Sequence, residues 1–215
     1  MTYLDLVNNV LRRIREDEVS AVNESSYSKL VGDFVNDAKR QVENAWDWSA
    51  LRTTLSVNTS DNTFNYTLTG SQNRIKVLDV LNDTSNVFMR YNTSHWFNSA
   101  YLVQEVVKGS PEYYTFNGVD SVGDTKIEVH PKPDGVYAIR FNVIKREPDL
   151  SSDSDESLLP STPIINFAVA FAARERGETG GPTAAEYFSI ANNSLSDAIA
   201  LDAQRHPEEV VWYTV

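Results

Sequence analysis

The hydrophobic positions of this chain change period twice. At the start they recur at helical spacing, through Leu4, Val7, Leu11 and Ile14, thickened by Leu6 and Val10. Thr2 followed by Asp5 has the form of a capping box, and Arg12, Arg13 and Arg15 fall where a helix end favours cations. A polar, serine-rich connector runs from Val19 to Tyr27. The stretch from Ser28 to Trp48 then restores the three-four spacing through Val31, Phe34 or Val35, Ala38, Val42 and Ala45. Ser25, Ser26 and Ser28 supply candidate N-caps for this second helix, which is expected to close on Trp46-Asp47-Trp48.

From Thr53 to Val143 the period becomes two. Leu55 and Val57 alternate with polar residues, as do Phe64, Tyr66 and Leu68, and Val87, Met89 and Tyr91. Tyr101 with Val103, Tyr114 with Phe116, and Ile127 with Val129 follow. The cleanest run is Tyr137, Ile139, Phe141 and Val143. Turn chemistry separates the runs, most clearly at Pro133-Asp134-Gly135. Short strands at this spacing predict an antiparallel sandwich or barrel, without the βαβ rhythm of a parallel nucleotide-binding sheet.

Beyond Pro148 the stretch PDLSSDSDES reads as an acidic linker. Leu158-Leu159-Pro160 and Pro163 then open a third helix, with Ile164 or Ile165, Ala168, Phe171 and Ala172 inward and Gly177 closing it. A fourth helix is predicted from about Thr183 to Arg205, placing Tyr187 or Phe188, Ala191, Leu195, Ala198 or Ile199 and Asp202 on successive turns. The expected architecture is α+β. A four-helix bundle core (1–52 and 158–205) carries an inserted antiparallel β-sandwich or barrel-like module (53–148). An acidic linker (149–157) and an extended C-terminal docking tail (206–215) complete the chain. Phe34, Val42, Trp46 and Phe171 are expected in one buried cluster between the second and third helices, with Trp48 also as core.

Composition narrows the function. The absence of cysteine removes disulfides, thiolate metal sites and cysteine nucleophiles. No apolar run approaches the ~20 residues of a membrane helix, and MTYLDLVNN has no basic leader, so no signal peptide and no membrane association are expected. A net charge of −11, from 30 acids and 19 bases, argues against free nucleic-acid binding, though not against a protein that DNA merely passes.

No catalytic constellation stands out. His95, His130 and His206 are dispersed, and the nucleotide, hydrolase and metalloprotease motifs are missing. Asp149, Asp153 and Asp155 superficially suggest a calcium loop, but the spacing is wrong and the glycine and distal glutamate are missing. The chain therefore reads as a non-enzyme with no cofactor and no metal. The tail is harder to explain as core. After Pro207 and two glutamates come Val210, Val211, Trp212 and Tyr213, a pattern typical of a segment that docks on a neighbour.

In YLDLVNNVLRRI, LVGDFVNDAKRQVENAWDWSALR, GSPEYYTF, HPKPDGVYAIRFNV, LLPSTP and ALDAQRHPEEV, taken in this order, the sequence resembles the head-to-tail adaptor proteins of short-tailed phages, often labelled tail tubular protein A-like. The resemblance implies a homo-oligomeric, dodecameric ring clamped between the portal protein and the tail nozzle protein. DNA would pass through its lumen without sequence-specific binding. It implies a virion component assembled in the host cytoplasm. By position it assigns portal docking to the tail from Arg205 to Val215, including His206, Pro207, Val210, Val211, Trp212 and Tyr213. The alternative reading is a β-sandwich ligand- or carbohydrate-binding module with helical decoration.

Overall fold

A computed structural model describes residues 1–72, 74–102, 106–177 and 184–205. The chain divides into two compact units, residues 1–51 with 147–215 and residues 52–146.

The first unit is helical. It contains α1 (Tyr3–Arg13), α2 (Ser26–Ala45), a 3-10 turn (Ser49–Leu51), α4 (Ser161–Arg176) and α5 (Ala184–Ala203). Thr2 and Asp5 close a reciprocal capping box on α1, and Ser25 and Ser28 close another on α2, so two orphan amides are satisfied at each start. The core joins Leu6, Val7 and Val10 of α1, Val31, Val35 and Val42 of α2, and Ile164, Phe167 and Ala168 of α4, all fully buried. Gly32 is required where α1 and α2 meet, because a Cβ there would collide with the Tyr3 hydroxyl and Val22. Gly177 ends α4 at φ 61°, a left-handed conformation that glycine adopts without strain.

This is not the expected four-helix bundle core. The closely packed core belongs to α1, α2 and α4, whereas α5 packs mainly on α4. Among its described side chains only Ala191 and Asp202 are buried. The apolar residues of α5 are spread around the helix, with Ile190 and Leu201 exposed, so the period identified a helix without identifying its neighbours. The described residues include a fifth helix as well, in the other unit.

Residues 149–157, the acidic stretch after the β unit, are tied to the helices. Leu150 is buried and exchanges hydrogen bonds with the Asn36 side chain. Arg40 pairs with Asp149 at 3.3 Å, and the amides of Tyr3 and Leu4 donate to the carbonyls of Asp155 and Asp153. Just before this stretch, the buried Lys39 ammonium donates to the Pro148 carbonyl at 2.8 Å, and Glu43 accepts from the Glu147 amide at 2.6 Å.

The second unit holds two four-stranded sheets and α3 (Ser94–Leu102). The first sheet has the order β1 (Arg52–Asn58), β8 (Ala138–Lys145), β3 (Ile75–Asn82), β4 (Val87–Phe88). The second runs β2 (Asn65–Leu68), β7 (Thr125–His130), β6 (Tyr113–Val119), β5 (Arg90–Tyr91). The ends of the unit are adjacent, since Arg52 pairs with Ile144. Ile139, Phe141 and Val143 alternate inward from β8 and share one buried cluster with Leu68, Val80, Tyr114, Ile127 and Val129.

Two expectations are corrected here. The sheets do not close into a barrel, and they are not wholly antiparallel, because β5 pairs with β6 in parallel. The run Val87–Tyr91 is divided between both sheets, which is why it cannot be one strand. Tyr101 lies in α3 and not in a strand. The Thr93 hydroxyl accepts from the Trp96 amide, and Phe97 and Ala100 are buried at helical spacing. No helix among the described residues is long and apolar enough to cross a membrane.

Candidate functional site

The sequence points to the C-terminal end of the helical unit, and the described chain there ends at an exposed Arg205. His206, Pro207, Val210, Val211, Trp212 and Tyr213 lie outside the described residues. Immediately before Arg205, the last turn of α5 is fixed by Asp202, which is 8% exposed. Its carboxylate accepts from the Trp46 indole at 3.1 Å, from the Ser49 amide at 2.9 Å, and from the Ser49 hydroxyl. Burial opposes ionisation of Asp202, but the hydrogen bonds from Ser49 and Trp46, aided by the Arg205 charge, outweigh it and hold the carboxyl below its ordinary value. Asp202 is thus a negatively charged hub that anchors the end of α5 to the end of α2.

The two tryptophans at the close of α2 divide their roles. Trp48 is 1% exposed, and its indole donates to the Val42 carbonyl at 2.8 Å. Trp46 is not in the core expected for it; at 39% exposure it stands at the helix C-cap with extended backbone angles, φ −151° and ψ 157°. That conformation turns the ring away from the α2 stripe, toward Asp202. Val42 is fully buried, while Phe34 and Phe171 are half-buried with ring centroids 6.3 Å apart. Phe171 continues to Phe188 of α5 at 5.7 Å, and the Arg174 guanidinium lies over both rings. These contacts tie α5 to α4.

Beside Asp202 runs a mainly apolar groove of about 300 Å³, lined by Trp48, the Leu158–Pro160 segment, Ala198 and Leu201 of α5, and the charged Arg205. Sequence reasoning missed this groove. The available signal was Asp202 itself, a carboxylate on the inward side of an apolar helix, which requires buried donors nearby.

The remaining candidates fall elsewhere. His95 is exposed at the start of α3. His130 is half-buried among Trp96, Phe97, Tyr101 and Tyr113, with ring centroids from 5.0 to 6.4 Å. Burial pushes its pKa down, against a smaller upward pull from Glu112. Asp149, Asp153 and Asp155 do not converge. Asp149 faces Arg40, Asp153 accepts from the Val22 amide, and Asp155 accepts from the Ser151 and Ser152 amides. No group of three or more potential metal ligands occurs among the described residues.

Within the described residues this end of the helical unit combines an anchored helix end with an apolar groove. No curated protein matches the chain. The family model described as SU10 adaptor protein matches residues 1–211. The chain therefore belongs to the SU10 adaptor protein family, and its role is that of a structural adaptor of the phage virion, associating with other phage structural proteins.

Proposed function

We propose that the chain is a head-to-tail adaptor that forms a homo-oligomeric, dodecameric ring between the portal protein and the tail nozzle protein, through which DNA passes on ejection. The family supplies the adaptor role. The structural observation that carries the ring is α5. It has 20 residues, three acids and no base, yet a single copy leaves most of its described side chains partly or fully exposed, Ile190 and Leu201 among them. An apolar helix with so little cover is suited to burial against further protein.

In this reading the segment from Arg205 through Trp212 and Tyr213 engages the portal, since aromatic anchors flanked by valines give compact contact energy. The excess acid supports passage in preference to grip, because a negative wall does not release phosphate counterions. Mixing the chain with its portal protein and measuring mass by light scattering tests the proposal. A complex holding multiple copies supports it, and two separately eluting proteins at micromolar concentration contradict it.

A further inference from the structure

Within the β unit, the ring of His130 is where α3 meets the second sheet. Three side chains of this helix surround it, Trp96 at 5.0 Å between centroids, Phe97 at 6.3 Å and Tyr101 at 5.3 Å. All three stand edge-to-face with the imidazole, at 85°, 80° and 64°. Tyr113 of β6 completes the box at 6.4 Å. Phe97 is fully buried, and the Tyr101 hydroxyl donates to the Val129 carbonyl beside His130. The His130 Nδ1 atom is itself buried, yet among the described residues it has no hydrogen-bond partner. Buried polar atoms are nearly always partnered, so this orphan marks the imidazole as the weak point of the contact.

From these observations we infer that His130 is a pH-operated latch: the neutral imidazole holds α3 on the sheet, and the imidazolium releases it. A neutral ring can carry its one proton on Nε2 and leave Nδ1 bare, whereas an imidazolium carries a proton on both nitrogens. The Nδ1–H would then be buried among aromatic rings with no acceptor, a cost that undocking α3 removes. The charged and titratable groups around the box do not supply a partner. From α3, His95 is exposed and the Tyr101 hydroxyl is spent on Val129. Beside β6, Tyr113 contributes its ring, and the Glu112 carboxylate pulls the His130 pKa up less than burial pushes it down. Along β7, Glu128 accepts from Asn117, and Lys132 just beyond lies over the Phe64 ring. The attraction of a cation to ring faces is the opposing force that the experiment weighs. Undocking uncovers Phe97 and Ala100 on the helix and Tyr113 and Val129 on the sheet, an apolar surface suited to protein contact. The inference is independent of the ring proposed above.

Hydrogen exchange of the full chain, read by mass spectrometry and corrected for the intrinsic chemistry of each amide, tests the latch. Opening of residues 94–102 should rise up to about tenfold per pH unit below about 6.5, while β8 in the same unit stays closed. His130→Phe should hold α3 closed across the same range. In the unsubstituted chain, a nuclear magnetic resonance titration of His95, His130 and His206 adds a measurement that needs no variant to fold. It should show a His130 midpoint below about 6.5, and the rise in α3 opening should level off at that midpoint. A His130 midpoint at or above about 6.5 would overturn the inference, since the ring faces would then favour the imidazolium. So would an α3 opening that ignores pH, one shared by β8, or one that persists unchanged in His130→Phe.

Discussion

The two units of this chain differ most in how they carry charge. Of the 30 acids and 19 bases, 21 acids and nine bases fall in residues 1–51 and 147–215, leaving nine acids and ten bases in residues 52–146. The helical unit therefore has a net charge of −12 and the β unit +1. Their cores differ too. The helical core is mainly aliphatic with alanines on α4, whereas the β unit concentrates aromatics around Tyr114, Phe116 and Phe141 on its sheets and around His130 beside α3. The overall charge of −11 thus conceals a strongly acidic helical body and a nearly neutral β unit. Any effect of acid on DNA passage or on partner choice belongs to the helical unit.

The largest effect expected within the helical unit separates its adjacent tryptophans. Trp48→Ala should cost about 3–5 kcal/mol, as for a fully buried large side chain. Trp46→Ala should cost only about 1–2 kcal/mol, through the lost hydrogen bond to Asp202. Denaturant unfolding of both variants measures the gap, and equal losses would contradict the division of roles.

Next in size is pH dependence, where the units should respond in different windows. The folded-state pKa of Asp202 is lowered, so its contribution is complete above the unfolded carboxyl value of about 3.9 and is lost as pH falls through the folded value. His130 is also lowered, but from about 6.5. The unfolded chain gains a proton first, and stability falls as pH drops from 6.5 toward the folded value. Stability curves measured with pH should have a shallower acid limb in Asp202→Asn, since other lowered carboxyls such as Asp124 and Asp155 remain, and should flatten below neutrality in His130→Phe. An unchanged profile in His130→Phe would mean that the aromatic surroundings do not disfavour the imidazolium.

The smallest effect should come from the acidic unit's own surface pairs. Arg12 and Glu18 meet at 2.8 Å with both side chains about half exposed, so Arg12→Ala should change stability by about 1 kcal/mol or less. A larger loss would show that the charge of this unit acts through more than local solvated pairs.

Much of this organisation is legible in the sequence wherever a regular period meets regular geometry. The stripes of α1 and α2, the Thr2 and Ser25 caps, and the alternation of Ile139, Phe141 and Val143 have direct structural counterparts. Irregular geometry hides the rest. A register shift between Val77 and Asp79 interrupts the alternation of β3, so no strand is apparent there from period alone. The stretch SHWFNSAYL has the aromatics of a strand, but the Thr93 cap and the burial of Phe97 and Ala100 make it a helix. Lys39 looks like a solvated charge from its neighbours along α2, yet it is fully buried because the returning chain supplies backbone carbonyls. The candidate site shows the same limit. Arg205 and the tail are visible as a pattern, whereas the groove depends on Trp48, Leu158 and Leu201, which only the fold brings together.

The most direct test of the adaptor account is electron microscopy of the chain incubated with its portal protein, in parallel with a version lacking residues 206–215. The account predicts a ring of copies seated on the portal for the full chain and bare portals for the shortened one. Bare portals in both samples, or equal decoration of both, would contradict it.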